Sequence, residues 1–145
     1  MRYMDAGLQL RLRRARRQIE SQHSHLHTLY ESLARAIAKG RVERVRETGE
    51  QLLAAIEAHF SLEDGVFFPA VRSLHPQHGE ELYELVREHE RYRKKLMGML
   101  GDLGTDGLDS FAAGYRELAT SVADHESREE RLIGLLTSDS GTDRK

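Results

Sequence analysis

Four stretches of this 145-residue chain carry apolar residues at alternating steps of three and four, and each is interrupted by one histidine. In the first, Leu8, Leu12, Ala15, Ile19, His23, Leu26, Tyr30, Leu33 and Ile37 share one line. That spacing is the mark of one buried helical face. The second line runs Val45, Gly49, Leu52, Ile56, His59, Glu63, Phe67, Ala70 and Leu74. The third passes through Leu82, Leu85, Val86, His89, Tyr92 or Arg93, Leu96, Leu100 and Leu103. The fourth passes through Phe111, Tyr115, Leu118, Val122, His125, Glu129, Leu132 and Leu136. No alternating strand pattern competes with these lines.

The pattern predicts helices from about Leu8 to Lys39, Val42 to Leu74, Glu80 to Leu103 and Asp109 to Thr137. Gly40 ends the first. Pro69 lies inside the second, removes one backbone hydrogen bond and should bend it near Gly65. His75–Gly79 forms the next turn. A Gly104–Leu108 loop then leads to Asp109 as N-cap. Long helices joined by short turns pack as antiparallel neighbours. The expected fold is all-α, an up-down-up-down antiparallel four-helix bundle. Residues 1–137 form a single domain, with a disordered polar tail over Ser138–Lys145.

Composition narrows the chemistry. There is no cysteine, so disulfides and thiolate metal sites are excluded, and nothing points to secretion. The net charge of −2 gives no general attraction to nucleic acid. The local cluster Arg11, Arg13, Arg14, Arg16 and Arg17 reads as a solvated face, since no aromatic residues are interleaved with it. No apolar run approaches the roughly 18–20 residues that span a bilayer. The expected setting is cytoplasmic, with no membrane and no nucleic-acid partner; the oligomeric state stays open.

The interruptions carry the functional signal. His59 and Glu63 are four residues apart, as are His125 and Glu129, so each pair lies on one helical face about 6 Å apart. Burying an ionised carboxylate without a partner is costly. Two buried carboxylates therefore ask for compensating cations. The heights agree as well. With the first turn centred near Gly40, His23 comes level with Ala58, beside His59. Centring the second turn near Pro76 brings Glu63 level with His89. Centring the third near Asp106 brings His89 level with Ala123, close to His125. The expected metal ligands are His23, His59, Glu63, His89, His125 and Glu129. Glu63 and Glu129 would bridge two ions, one completed by His23 and His59, the other by His89 and His125. Mixed nitrogen and oxygen ligation with an open position suits iron or manganese, and zinc would also fit. Ferritin-type bundles use a Glu-x-x-His motif, which these lines do not carry.

His27, one turn beyond His23, is the alternative ligand on the first helix. His25 should be exposed, and His75 and His78 solvated in their turn. Asp64 and Glu130 read as surface groups or as supports for the ligands. Tyr30, Tyr92 and Tyr115 read as core or rim residues.

The combined pattern resembles the hemerythrin-like family, also called the HHE cation-binding domain, from about Ile19 to Leu136. The residues that carry the likeness are His23 with Leu26, Leu29, Tyr30 and Leu33; His59-Phe60 with Glu63-Asp64 and Phe67-Phe68-Pro69; Glu88-His89-Glu90; and His125 with Glu129-Glu130. The resemblance implies a non-haem centre of two iron ions that binds dioxygen or a related small oxidant such as nitric oxide or peroxide for sensing, or that handles iron. The alternative is a di-iron enzyme with peroxidase- or catalase-like, or nitric-oxide-reducing, activity. Two departures separate this chain from the oxygen-carrying hemerythrins. Those have a second histidine on the third helix where this chain has Arg93. Their last carboxylate is an Asp five residues after its histidine, whereas Glu129 follows His125 by four. Tyr92 or a neighbouring Glu could approach in place of the missing imidazole, and water is the simpler expectation.

Overall fold

The computed structural model describes the backbone of residues 2–142 and the side chains of residues 6–134. The expected tail over Ser138–Lys145, and Leu136 of the fourth line, lie outside the residues whose side chains are described. Helix α1 spans Arg2–Ala38 and α2 spans Val42–Leu62. A π-helical turn, Glu63–Phe67, joins α2 to the short α3, Phe68–Leu74. A 3-10 turn, Pro76–His78, leads into α4, Gly79–Thr142, which is interrupted by non-helical geometry at Gly107. There is no strand among the described residues.

Each turn has a local cause. Gly40 adopts a φ of 67°, the left-handed conformation that glycine reaches without a Cβ penalty. Gly40 N–H then donates to Ile37 O at 3.0 Å and Arg41 N–H to Ala36 O at 3.1 Å, which satisfies the last carbonyls of α1. The third reversal is tighter than the expected Gly104–Leu108 loop. Helical geometry holds on both sides of Gly107, whose φ of 83° and ψ of 176° take up the change of direction. Asp109 accordingly lies within helix and is no N-cap. Beyond Gly107 the chain runs back along the preceding segment. Lys95 Nζ meets Glu117 at 2.6 Å, and further along Tyr92 Oη donates to Ser121 O at 3.1 Å.

The bend expected from Pro69 takes the form of the π turn. Proline has no N–H, and its ring crowds the carbonyl four residues back, here that of Gly65. Widening one turn relieves that crowding: Phe68 N–H reaches back five residues to Glu63 O. The extra residue shifts the register, so the neighbours Phe67 and Phe68 are both buried, at 2% and 4% exposure. A strict three-and-four pattern places only one of them inside.

The interior divides into two apolar clusters. One includes Leu33, Leu52, Leu96 and Leu118; the other includes Ile19, Phe67, Leu85 and Leu132. Along every helical segment the crossing from one cluster to the other passes a histidine. His23 lies between Ile19 and Leu26, His59 between Ile56 and Phe67, His89 between Leu85 and Tyr92, and His125 between Val122 and Leu132. A polar layer thus cuts across an otherwise apolar core.

Candidate metal centre

The polar layer brings all six expected residues together. His23, His59, Glu63 and Glu129 each offer a ligand atom within 4.8 Å of the others, and so do Glu63, His89, His125 and Glu129. The two carboxylates belong to both groups. His59, Glu63, His89, His125 and Glu129 are at most 2% exposed, while His23 is half-buried.

Three of the imidazoles are oriented by their outer nitrogen. His89 Nδ1 donates to Asp64 Oδ1 at 2.8 Å, His125 Nδ1 to Glu88 Oε1 at 2.7 Å, and His59 Nδ1 to Gln22 Oε1 at 2.9 Å. The carboxylate oxygens of Asp64 and Glu88 and the amide oxygen of Gln22 accept, so each ring proton is directed outward and Nε2 faces the centre. This is the arrangement that holds a metal-binding histidine in one tautomer. Phe60 stacks on the His89 ring at 3.9 Å and 7°, and Phe68 lies 5.7 Å from it at 17°. Tyr92 meets the His125 ring edge-on at 5.3 Å.

The inward atoms are poorly satisfied. His23 Nε2, both oxygens of Glu63 and Glu129 Oε2 are buried without a hydrogen bond. His59 Nε2 lies 3.3 Å from Glu63 Oε2, and His89 Nε2 lies 3.2 Å from Glu63 Oε1. His89 Nε2 and His125 Nε2 are 2.9 Å apart. Two lone pairs aimed at each other over that distance require a shared proton or a cation. Orphaned, converging acceptors of this kind are the groups a divalent cation binds, so the donor set fits metal ions.

The titration of the cluster follows from its burial. Burial first, and then the adjacent Glu129, push the Glu63 pKa well above the usual carboxylate range. Burial also pulls Glu129 upward, but the Glu63 carboxyl and the imidazoles of His125 and His89 outweigh it and hold Glu129 low. Without metal the two carboxyls therefore titrate apart, Glu63 keeping its proton to higher pH than Glu129. Burial lowers His23 and His59. Burial also disfavours protonated His89 and His125, but their carboxylate partners win and raise both.

The remaining candidates fall elsewhere. His27 is exposed and faces Glu126 at 3.2 Å, so His23 supplies the first-helix nitrogen of the cluster. His25 is exposed. Arg93 meets Glu90 at 2.6 Å and Glu57 at 3.8 Å, away from the centre. Tyr92 Oη is bonded to Glu88 and to Ser121 O, so it does not stand in for a missing imidazole. Asp64 supports His89 as described, and Glu130 is exposed. His78 lies 3.8 Å from Glu81 beyond the end of α3. His75→Ala and His78→Ala should leave metal content unchanged, as read by elemental analysis of the purified variants.

Two supporting residues escaped the sequence reading. Gln22 precedes a ligand and Glu88 precedes another, yet each braces a histidine on a different segment. Glu88 also receives Arg128 Nη2, and Arg128 Nε lies 3.3 Å from Asp124. The only available signal for Glu88 was its position beside His89 in Glu88-His89-Glu90. Its target, His125, lies on the segment beyond Gly107.

Fold and cluster together define an all-helical cation-binding domain. The chain belongs to the hemerythrin HHE cation-binding domain family, whose sequence profile matches residues 14–135. No curated protein and no solved structure gives a significant match. Among the described residues no helix is long and apolar enough to cross a membrane.

Proposed function

We propose that this is a non-haem di-iron protein that binds dioxygen or a related small oxidant, nitric oxide or peroxide, for sensing, or that handles iron. On this reading residues 1–137 form one up-down-up-down four-helix bundle, α4 counting as two helices at Gly107. His23 and His59 would hold one ion, His89 and His125 the other, and Glu63 and Glu129 would serve both. The observation that supports this most directly is the sharing of two unsatisfied carboxylates between two pairs of imidazoles. The absence of thiolates favours iron or manganese over softer metals, and the family match favours cation binding.

Two iron ions would supply reducing electrons and an open coordination position for the oxidant. The chain's own contribution is preorganisation. Asp64, Glu88 and Gln22 hold three ring planes and their tautomers. Phe60 and Phe68 pack against His89 and keep water from that side. The apolar clusters on both sides of the layer keep its dielectric low, which strengthens attraction between carboxylates and cations.

The test is anaerobic ferrous loading of the metal-free protein, followed by elemental analysis and an absorption spectrum before and after oxygen. Close to two iron atoms per chain and a reversible oxygen-dependent band support the proposal. Steady consumption of hydrogen peroxide or nitric oxide would favour a di-iron enzyme. A metal content near zero would refute both. Loading should also release protons, since a cation displaces the proton held by Glu63 and whatever proton the inward Nε2 of His89 or His125, whose pKa values are raised, carries at the pH of loading. The pKa values of these groups are raised, so metal affinity falls as pH drops, and titrations near pH 8 should give tighter binding than titrations near pH 6.

A further inference from the structure

The four imidazoles of the polar layer are not equally enclosed. His59, His89 and His125 are each 2% exposed and braced through Nδ1. His23 is half-buried, and its buried Nε2 has no hydrogen-bond partner among the described residues. His23 is thus the one candidate ligand of the cluster that is not fully buried, and it lies on α1, which the His27–Glu126 contact ties to the segment beyond Gly107. Two further groups with metal-binding chemistry stand there. His27 is one turn along α1 from His23, and Glu126 follows His125 in sequence. His27 Nε2 lies 3.2 Å from Glu126 Oε2.

Their exposures form a gradient. The His27 side chain is 62% exposed, that of Glu126 is 17% exposed, and the carboxylates of the cluster are 2% or less. Glu126 is also close enough for its charge to act on His23, His59 and Tyr30. It therefore stands between an imidazole in solvent and the interior. We infer that His27 and Glu126 form a docking pair through which a divalent cation passes from solvent to His23 and the interior carboxylates. The inference rests on the metal-binding reading of the cluster.

The chemistry suits passage better than retention. One imidazole and one carboxylate give two protein ligands, and water must complete the shell, so an ion there is held weakly. The carboxylate is mostly buried, and the hydrogen bond it makes is to an exposed ring, which a cation can displace at small cost. The competing explanation is a surface ion pair that merely links two helices. Such a pair is worth at most about 1 kcal/mol and has no bearing on the rate of metal uptake.

The experiment is stopped-flow uptake of cobalt(II), followed by its visible absorption, into the metal-free full-length chain at low ionic strength. Glu126→Gln should slow uptake by about 10-fold or more while the endpoint stays at the wild-type stoichiometry. His27→Ala should slow it in the same sense. Glu130→Gln, which removes an exposed carboxylate one turn away, should leave the rate unchanged. High salt should shrink the difference between wild type and Glu126→Gln. The inference is overturned if Glu126→Gln takes up cobalt within about 2-fold of the wild-type rate, on the same electrostatic scale. It is overturned equally if Glu130→Gln slows uptake as much, or if Glu126→Gln binds fewer ions at the endpoint. If the wild type itself binds no cobalt, the metal-binding reading fails, and that result is distinct from all of these.

Discussion

Replacing Glu63 with methionine is expected to abolish two-ion loading and, at the same time, to stabilise the metal-free protein. Glu63 is fully buried, and its oxygens have no well-formed hydrogen bond, only approaches of 3.3 Å from His59 and 3.2 Å from His89. An unsatisfied buried polar group costs about 1–3 kcal/mol. Methionine is of similar length, unbranched, and can fill the space without forced rotamers. The metal-free variant should therefore gain about 1–3 kcal/mol, with a rise in Tm of about 2–4 °C for each kcal/mol. The same change removes a carboxylate common to both ligand groups, so metal content should fall well below one ion per chain. The wild type behaves in the opposite way. Ions bound at about 1,000 times their Kd stabilise it by about 4 kcal/mol per site. The order of Tm should be loaded wild type, then Glu63→Met, then metal-free wild type. Melting curves with and without chelator, plus elemental analysis, check this. A variant that retained two ions would remove Glu63 from any bridging role; one no more stable than the metal-free wild type would mean the buried carboxyl is already satisfied.

The stripes made most of the fold legible because burial and helical period coincide along them. His23, whose ring lies 4.6 Å from that of His59, and the 3.2 Å approach of His89 to Glu63 agree with heights counted from the turns alone. Counting works because a straight helix rises by a fixed amount per residue. It fails where the rise changes. The π turn adds a residue after Glu63, so Phe68 and Val71 entered the core unannounced. Gly107 compresses a reversal that Gly104, Asp106 and Asp109 suggested would be longer. Of the braces, Asp64 reads from the sequence as a surface or supporting group, while Gln22 and Glu88 are a different kind of omission. Each of the three bonds a histidine 25 to 37 residues away, and the bond depends on rotamers that no spacing rule encodes. Residues that face the core announce themselves by period. Residues that support a buried group from the rim look like any other polar surface position.

Leu33→Ala should be strongly destabilising yet leave metal stoichiometry intact. Leu33 is 0% exposed within the apolar cluster that includes Leu52, Leu96 and Leu118. It lies about 15 Å along α1 from His23, at about 1.5 Å of rise per residue. Truncation at such a site removes buried methyl groups and leaves a cavity that rigid neighbouring helices close only in part. The expected loss is about 2–5 kcal/mol, enough to lower Tm by roughly 4–20 °C. The polar layer separates this cluster from the one around Ile19, Phe67 and Leu85, so the cavity opens away from the ligands. Metal content per folded chain should therefore remain at the wild-type value. Loading should also recover part of the lost Tm, because ions that bind only the folded form shift the unfolding equilibrium whatever weakened it. Thermal melts of the variant with and without ferrous ion, under anaerobic conditions, separate the two contributions. Loss of metal together with stability would mean that the apolar cluster positions the ligands and is no independent support. An unchanged Tm would mean that the helices collapse into the space Leu33 vacates.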